Sequence, residues 1–365
     1  MRHGIYYWKC DSPATLEAKR KQFSKDKYAS AEFQVLARQC VEAWCGEAPQ
    51  SLTGAGCDGN HFAFRVERSR GEAVFLRGDE GQGDDYMLAE TAAMDLARAH
   101  GIHTPKTLYL SVGEPQAKAN FQILEYFDFK PLDRYHKAGT LALPEAAGQL
   151  GALLARLHRI PLEGFGFFDT RGLHGGGALR GLCANYPDYF NARLEEHLEY
   201  LGEAGLLDGA GLADIRSIFR ENEGALDRRE GFLIHRDPAL WNILGTPHSV
   251  EAVIDWDDAV SGDPADDLGM LACFYGRDLM GPLLEGYFGG RKPEEGFHRR
   301  IWLHLLRNML WKAKLRDSLG YFEKDASFFL HLPGEKASLK DVTLGRLRMA
   351  VDYFKRDGRD LHGIL

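Results

Sequence analysis

His235-Arg236-Asp237-Pro238-Ala239-Leu240-Trp241-Asn242, followed by Val253-Ile254-Asp255-Trp256, is the stretch on which the reading of the chain turns. Short apolar runs lead into it twice: Phe232 to Ile234 enters His235, and Val250 to Ile254 enters Asp255, so two short strands are expected. Asp237 and Asn242 are five residues apart, Asn242 and Asp255 thirteen. Phosphoryl transfer needs little covalent help from a protein; it needs an attacking hydroxyl held in line and magnesium on the phosphates. A loop carboxylate, an amide close behind it and a second carboxylate ending the next hairpin supply those groups. Asp237 is the candidate catalytic residue, accepting or orienting a hydroxyl. The side-chain oxygens of Asn242 and Asp255 are the candidate magnesium ligands, because that hard ion prefers oxygen.

An Asp with a later Asn also arises by chance, so the reading depends on agreement upstream. Phe62, Phe64 and Val66 alternate as in a strand, and after a turn at Ser69-Arg70-Gly71 a second apolar run, Val74 to Leu76, completes a hairpin. Gly54, Gly56 and Gly59 precede it as a G-x-G-x-x-G loop, where the backbone of Gly56, Gly59 and Asn60 can approach phosphates. Arg77 ends the second strand, and Glu90 falls thirteen residues later on a helix marked by Leu88, Ala92, Leu96 and Ala99. A strand cation on the phosphates, fixed by a helix carboxylate, is the expected pair. Strand candidates Lys106 to Leu110 and Phe121 to Tyr126 follow, and Glu125-Tyr126-Phe127 would present backbone groups to adenine.

The order strand, strand, helix, strand, strand describes a small α+β lobe on an antiparallel sheet. Beyond it the pattern is mainly helical: Leu150, Leu153, Leu154 and Leu157; Tyr189 to Leu201; Leu212 to Phe219; and the stripe Trp302, Leu305, Leu306, Met309, Leu310. The expected division is 1–50, an N-terminal helical extension around Phe33, Leu36, Cys40 and Val41; 51–127, a nucleotide-binding lobe; and 128–365, a catalytic and substrate-binding lobe.

Composition excludes other classes. The chain has 365 residues, 44% apolar and 27% charged, which is ordinary globular usage. Its apolar runs are too short for a membrane span, and the first 27 residues scatter lysines without a secretory core, so a cytoplasmic protein is expected. A net charge of −8 argues against nucleic acid and fits a neutral or cationic small-molecule partner. The six cysteines lack zinc or cluster spacing and read as reduced thiols, Cys40 and Cys45 included. Asp257 and Asp258 crowd Asp255, where tuning of the metal site and exposed loop carboxylates explain them equally well, and both are left out of the site; the run Glu195, Glu196, Glu199, Glu203 reads as a solvated helix face.

From about Leu52 to Met270 the chain resembles the aminoglycoside phosphotransferase family, the group that includes choline-, homoserine- and hygromycin-type kinases. The resemblance is carried by Gly59-Asn60, Phe64-Arg65-Val66, Phe75-Leu76-Arg77, Glu90, Gly101-Ile102, Pro105 and Leu157-His158. It is carried further by His235 to Leu244, Val253 to Trp256, and Gly262-Asp263-Pro264 to Asp267-Leu268. It implies a two-lobed protein-kinase-like fold, ATP or GTP with magnesium, and transfer to a hydroxyl of an aminoglycoside-like, sugar or amino-alcohol acceptor. It further implies Asp237 as the catalytic Asp, Asn242 and Asp255 as metal ligands, Arg77 as the phosphate cation, and Asp267 as a buried brace of the catalytic loop. Two departures stand out. Arg236 occupies a position where the family more often has Gly, and Ala239 stands where protein kinases place a lysine, leaving one phosphate cation unaccounted for. A protein kinase is not expected, because no D-F-G or A-P-E follows and only seven residues separate Asp255 from Asp263. The rival reading is a non-catalytic nucleotide-binding pseudokinase; the intact Asp237, Asn242 and Asp255 weigh against it.

Overall fold

The computed structural model describes residues 2–13, 15–17, 31–55, 61–79, 85–113, 119–328 and 337–356. The chain forms two compact units, one from residues 16–128 and 169–179, the other from 2–15, 129–168 and 180–365.

The first unit is built on a five-stranded antiparallel sheet: β1 (Ser51–Gly54), β2 (Phe62–Glu67), β3 (Val74–Asp79), β4 (Thr107–Ser111) and β5 (Asn120–Glu125), in the order β1-β2-β3-β5-β4. The alternation read from the sequence sets the register. Phe62, Phe64 and Val66 are buried while the residues between them are half-exposed, and Phe64 lies opposite Leu76. The helix Ala31–Cys45 covers this face, presenting Phe33, Ala37, Cys40 and Val41 at helical spacing. β3 and β5 also bring Arg77 opposite Gln122. The helix Tyr86–Ala99 supplies Glu90 and Thr91, and Arg98 on its last turn donates to the Pro105 carbonyl.

The second unit is mainly helical, with two small sheets that carry loops. β7 (Pro161–Leu162), β8 (Phe165–Phe168), β9 (Gly181–Cys183), β10 (Gly231–Ile234) and β13 (Val260–Gly262) run β7-β10-β13-β8-β9. β6 (Lys130–Pro131), β11 (Ile243–Thr246) and β12 (Ser249–Val253) form the other, with β11 central. Helices Leu143–Leu157 and Arg277–Phe288 pack at a glycine-lined crossing: a Cβ on Gly151 would lie 2.0 Å from the Leu283 carbonyl oxygen, and one on Gly286 2.1 Å from that of Gly148. Helix Phe297–Ser318 is buried along most of its length. Among the described residues, no helix is long and apolar enough to cross a membrane.

The first 50 residues divide between the units. Residues 2–15 belong with the second unit, which holds the His235–Asn242 loop, whereas the helix Ala31–Cys45 belongs with the five-stranded sheet. The five described cysteines are free thiols.

Candidate active site

β10 delivers the chain into the His235–Asn242 loop, and a turn of 3-10 helix, Leu240–Asn242, passes it to the β11–β12 hairpin. Asn242 precedes β11 and Asp255 follows β12. The Ile254 amide donates to the Asn242 carbonyl at 3.0 Å, so both residues stand at the same end of the hairpin. Asn242 Nδ2 donates to the carbonyl of Asp237 at 2.9 Å and to its Oδ2 at 3.0 Å, and Trp241 Nε1 donates to the same Oδ2 at 3.2 Å. The amide nitrogen is thereby committed to the candidate base, and the oxygen of Asn242 is the atom left to serve a cation. Asp255 adopts φ +64°, a left-handed conformation rare outside glycine and frequent at functional loops.

His235 is held as a neutral brace. Its Nδ1 accepts the Asp237 amide proton at 3.2 Å, so its Nε2 is the nitrogen that donates to the Ile254 carbonyl at 3.0 Å. Asp267, fully buried, accepts from the amide of Arg236 at 2.6 Å through Oδ1. Its Oδ2 accepts from the amide of His235 at 3.1 Å and from His158 Nε2 at 2.9 Å. This is the brace that the sequence led one to expect.

Arg236 also sits at φ +64°, which accounts physically for glycine being the commoner residue there. Its guanidinium is fully buried: Nε faces Asp266 Oδ2 at 3.2 Å, Nη1 donates to the Tyr6 carbonyl at 2.8 Å and to the Tyr189 hydroxyl, and the group lies 4.5 Å from the Tyr6 ring centroid. The N-terminal segment is thus fastened to the His235–Asn242 loop, and further contacts hold it. Lys9 Nζ lies 2.6 Å from Asp258 and 3.6 Å from Asp257, Trp8 Nε1 donates to Asp258 at 2.7 Å, and Arg2 donates to the Asp257 carbonyl at 2.7 Å. Asp257 and Asp258 are 4% and 1% exposed, which removes the reading of them as exposed carboxylates; two and three residues past Asp255, they anchor residues 2–9. The acidic run on helix Leu194–Glu203 is exposed as expected.

Burial raises the pKa of Asp237 above the usual carboxylate range, against the opposing pull of Lys312 and Lys9. Lys312 was missed in the sequence. It is 6% exposed, and its Nζ lies 4.2 Å from the ring centroids of both Phe274 and Trp311. Phe274 in turn packs 4.8 Å from Trp241, the residue bonded to Asp237. Burial depresses the Lys312 pKa to about 8. The signal for it was its place three residues after Met309 and seven after Leu305, on the apolar stripe. Although the chain is net acidic, two ammonium groups therefore act on Asp237.

In the first unit Arg77 is ion-paired with Glu90 and donates through Nε to Gln122 Oε1 at 2.7 Å; Gln122 Nε2 donates to Thr91 Oγ1 at 2.8 Å. The cation is therefore preset by two neighbours. Glu125 accepts the Lys106 amide at 3.3 Å and Phe127 packs 4.7 Å from the His103 ring. Gly56, Gly59 and Asn60 lie outside the described residues.

A family model described as the phosphotransferase enzyme family matches residues 56–303, more than half of the chain. The chain belongs to the phosphotransferase enzyme family. Solved structures share its fold. One is a thermostable mutant of aminoglycoside phosphotransferase APH(4)-Ia in ternary complex with AMP-PNP and hygromycin B (TM-score 0.62, 19% identity, covering 87% of this chain and 97% of that one). Another is a Thermobifida fusca YX-ER1 protein described as a fructosamine-3-kinase (0.58, 21%, 85% and 98%). A third is the macrolide 2'-phosphotransferase MphH from Brachybacterium faecium (0.54, 17%, 82% and 99%). No curated protein matches the chain in sequence. As a family member the chain is a phosphotransferase, and the solved structures show that it has the protein-kinase-like α+β fold.

Proposed function

We propose that this phosphotransferase is a magnesium-dependent kinase that moves the γ-phosphoryl group of ATP or GTP to a hydroxyl of a small molecule, with Asp237 as the base. The observation that carries the reading is the double hydrogen bond from Asn242 Nδ2 to Asp237, at 2.9 and 3.0 Å. It orients the base and the amide oxygen at once. The donor set fits magnesium: an amide oxygen from Asn242 and a carboxylate from Asp255, at one end of a hairpin. Bound there, the ion would offset charge on the phosphates.

Asp237 takes the proton of the attacking hydroxyl. Its raised pKa makes it a better base than an exposed aspartate, and Trp241 Nε1 and Asn242 Nδ2 hold its Oδ2 so that the other oxygen is presented to the acceptor. His235 and Asp267 fix the loop through its backbone amides, so the geometry precedes substrate. Arg77, preset by Glu90, is the cation proposed for the nucleotide phosphates; the backbone of Gly56, Gly59 and Asn60 is proposed to cover them, and Glu125 to Phe127 to receive the base. Aminoglycosides, sugars, amino alcohols and homoserine-like metabolites are the acceptor classes to test. The direct check on the nucleotide part is calorimetric titration of ATP with and without magnesium: affinity that rises with the metal supports the reading, and no binding in either condition sinks it.

A further inference from the structure

A cavity of about 280 Å³ opens in the second unit, with Phe232, Phe288 and Phe297 among its walls. Around it stand Arg159, Arg228, Arg291, Lys292 and Arg300, facing one carboxylate, Glu294. In a chain of net charge −8 this is a local reversal of sign. The carboxylate is already engaged, 3.5 Å from Arg228 and paired with Arg300, which also binds Asp263 at 2.7 Å. Arg159 and Lys292 make no side-chain hydrogen bond or ion pair among the described residues, and Arg228 Nε is buried with no acceptor. A buried guanidinium nitrogen left without an acceptor is unfavourable unless something fills the place.

We propose that this cavity is a binding site, separate from the phosphoryl-transfer site, for a small organic phosphate, its oxyanion on Arg228, Arg291 and Lys292 and its apolar part against Phe288 and Phe297. Arg291 donates through Nε to the Phe288 carbonyl at 3.0 Å and through Nη2 to the Tyr287 carbonyl at 3.2 Å, which fixes the group and leaves its Nη1 edge. Phosphate suits the donors better than a lone carboxylate, because a dianion can accept from two guanidinium groups and an ammonium together. The aromatic walls set the organic part, since inorganic phosphate alone would leave them uncovered. The site is joined to the catalytic loop through one side chain. His158 lines the cavity, its Nδ1 lies 3.0 Å from the Tyr287 hydroxyl, and its Nε2 donates to Asp267, which holds the amides of His235 and Arg236. An occupant therefore touches a residue one hydrogen bond removed from the loop brace.

The test is isothermal titration of phenyl phosphate into the full-length protein, with phenol as the uncharged control. The proposal expects saturable binding of phenyl phosphate, none of phenol, and about a tenfold loss of affinity in Arg228→Gln and in Lys292→Gln, one charge-assisted contact being worth about 1.4 kcal/mol. Lys292 is exposed, so its variant keeps the test valid should Arg228→Gln fold poorly. Asp255→Ala should leave the affinity unchanged, which separates this site from the proposed metal site. No saturable binding, equal binding of phenol, undiminished affinity in Lys292→Gln, or loss in Asp255→Ala overturns it.

Discussion

Arg236 Nη1 donates a hydrogen bond to the carbonyl oxygen of Tyr6, 230 residues earlier in the chain, at 2.8 Å. Through it the N-terminal segment becomes part of the unit that carries the His235–Asn242 loop. A left-handed arginine in place of glycine costs about 1 kcal/mol, and the buried clasp to Asp266, Tyr6 and Tyr189 offsets that cost. Removing the guanidinium leaves Asp266 buried without its arginine, so Arg236→Ala should destabilise the fold by about 3 kcal/mol in urea unfolding. Arg236→Gly, free of the backbone strain, should be the more stable of the two by about 1 kcal/mol. Equal stability of the pair would mean that the loop relaxes away from φ +64°.

Acid should loosen the anchoring of the N-terminal segment. His197 Nε2 donates to Asp11 Oδ1 at 2.5 Å while Arg307 donates to its Nδ1 at 2.9 Å, so the ring is neutral. Burial, aided by Arg307, lowers its pKa to about 4. Burial works to raise that of Asp11, but the His197 bond and the amides of Tyr6 and Tyr7 outweigh it and hold it at about 2. Between pH 6.5 and 4 the unfolded histidine takes up a proton that the folded one refuses, so stability falls as pH drops through that window. The fall should be on the order of 3 kcal/mol. Asp11 adds a further loss between pH 3.8 and 2. Denaturant midpoints measured across the range check this: His197→Gln should flatten the upper part of the curve, and an unchanged slope in that variant would count against the assignment.

Lys312 makes no hydrogen bond or ion pair among the described residues, and its charge is desolvated between two rings. Lys312→Met keeps the stem volume and removes the charge, so it should raise Tm by a few degrees at neutral pH. A lowered Tm would show that the ammonium is held better than the rings alone allow.

Asn242→Ala and Asp255→Ala should each remove the magnesium dependence of nucleotide affinity while leaving metal-free affinity near its wild-type value. Equal losses with and without the metal would point instead to collapse of the β11–β12 hairpin, which circular dichroism would reveal.

What the sequence disclosed was local. Phe62, Phe64 and Val66 announced the β2–β3 pairing because a strand's period is two residues, and Asp237 with Asn242 was legible because both lie on one loop. Arg77 and Glu90 were paired in advance because a strand end and the next helix converge in this fold. The docking of residues 2–9 was not legible, since the partners of Arg2 and Lys9 lie 255 and 249 residues away. Charges such as Lys9, Asp257 and Asp258 look solvated until the fold brings them together, and Lys312, although its spacing puts it on the apolar stripe, reads as a long side chain that carries its charge out to solvent.

The most direct test of the central claim is transfer of label from γ-labelled ATP, with magnesium, to a panel of aminoglycosides, sugars, amino alcohols and amino acids, run beside Asp237→Ala. The account predicts a labelled product with at least one acceptor, lost by at least about a thousandfold in the variant while nucleotide affinity is retained. Transfer that survives in Asp237→Ala would contradict the role of Asp237 as the base.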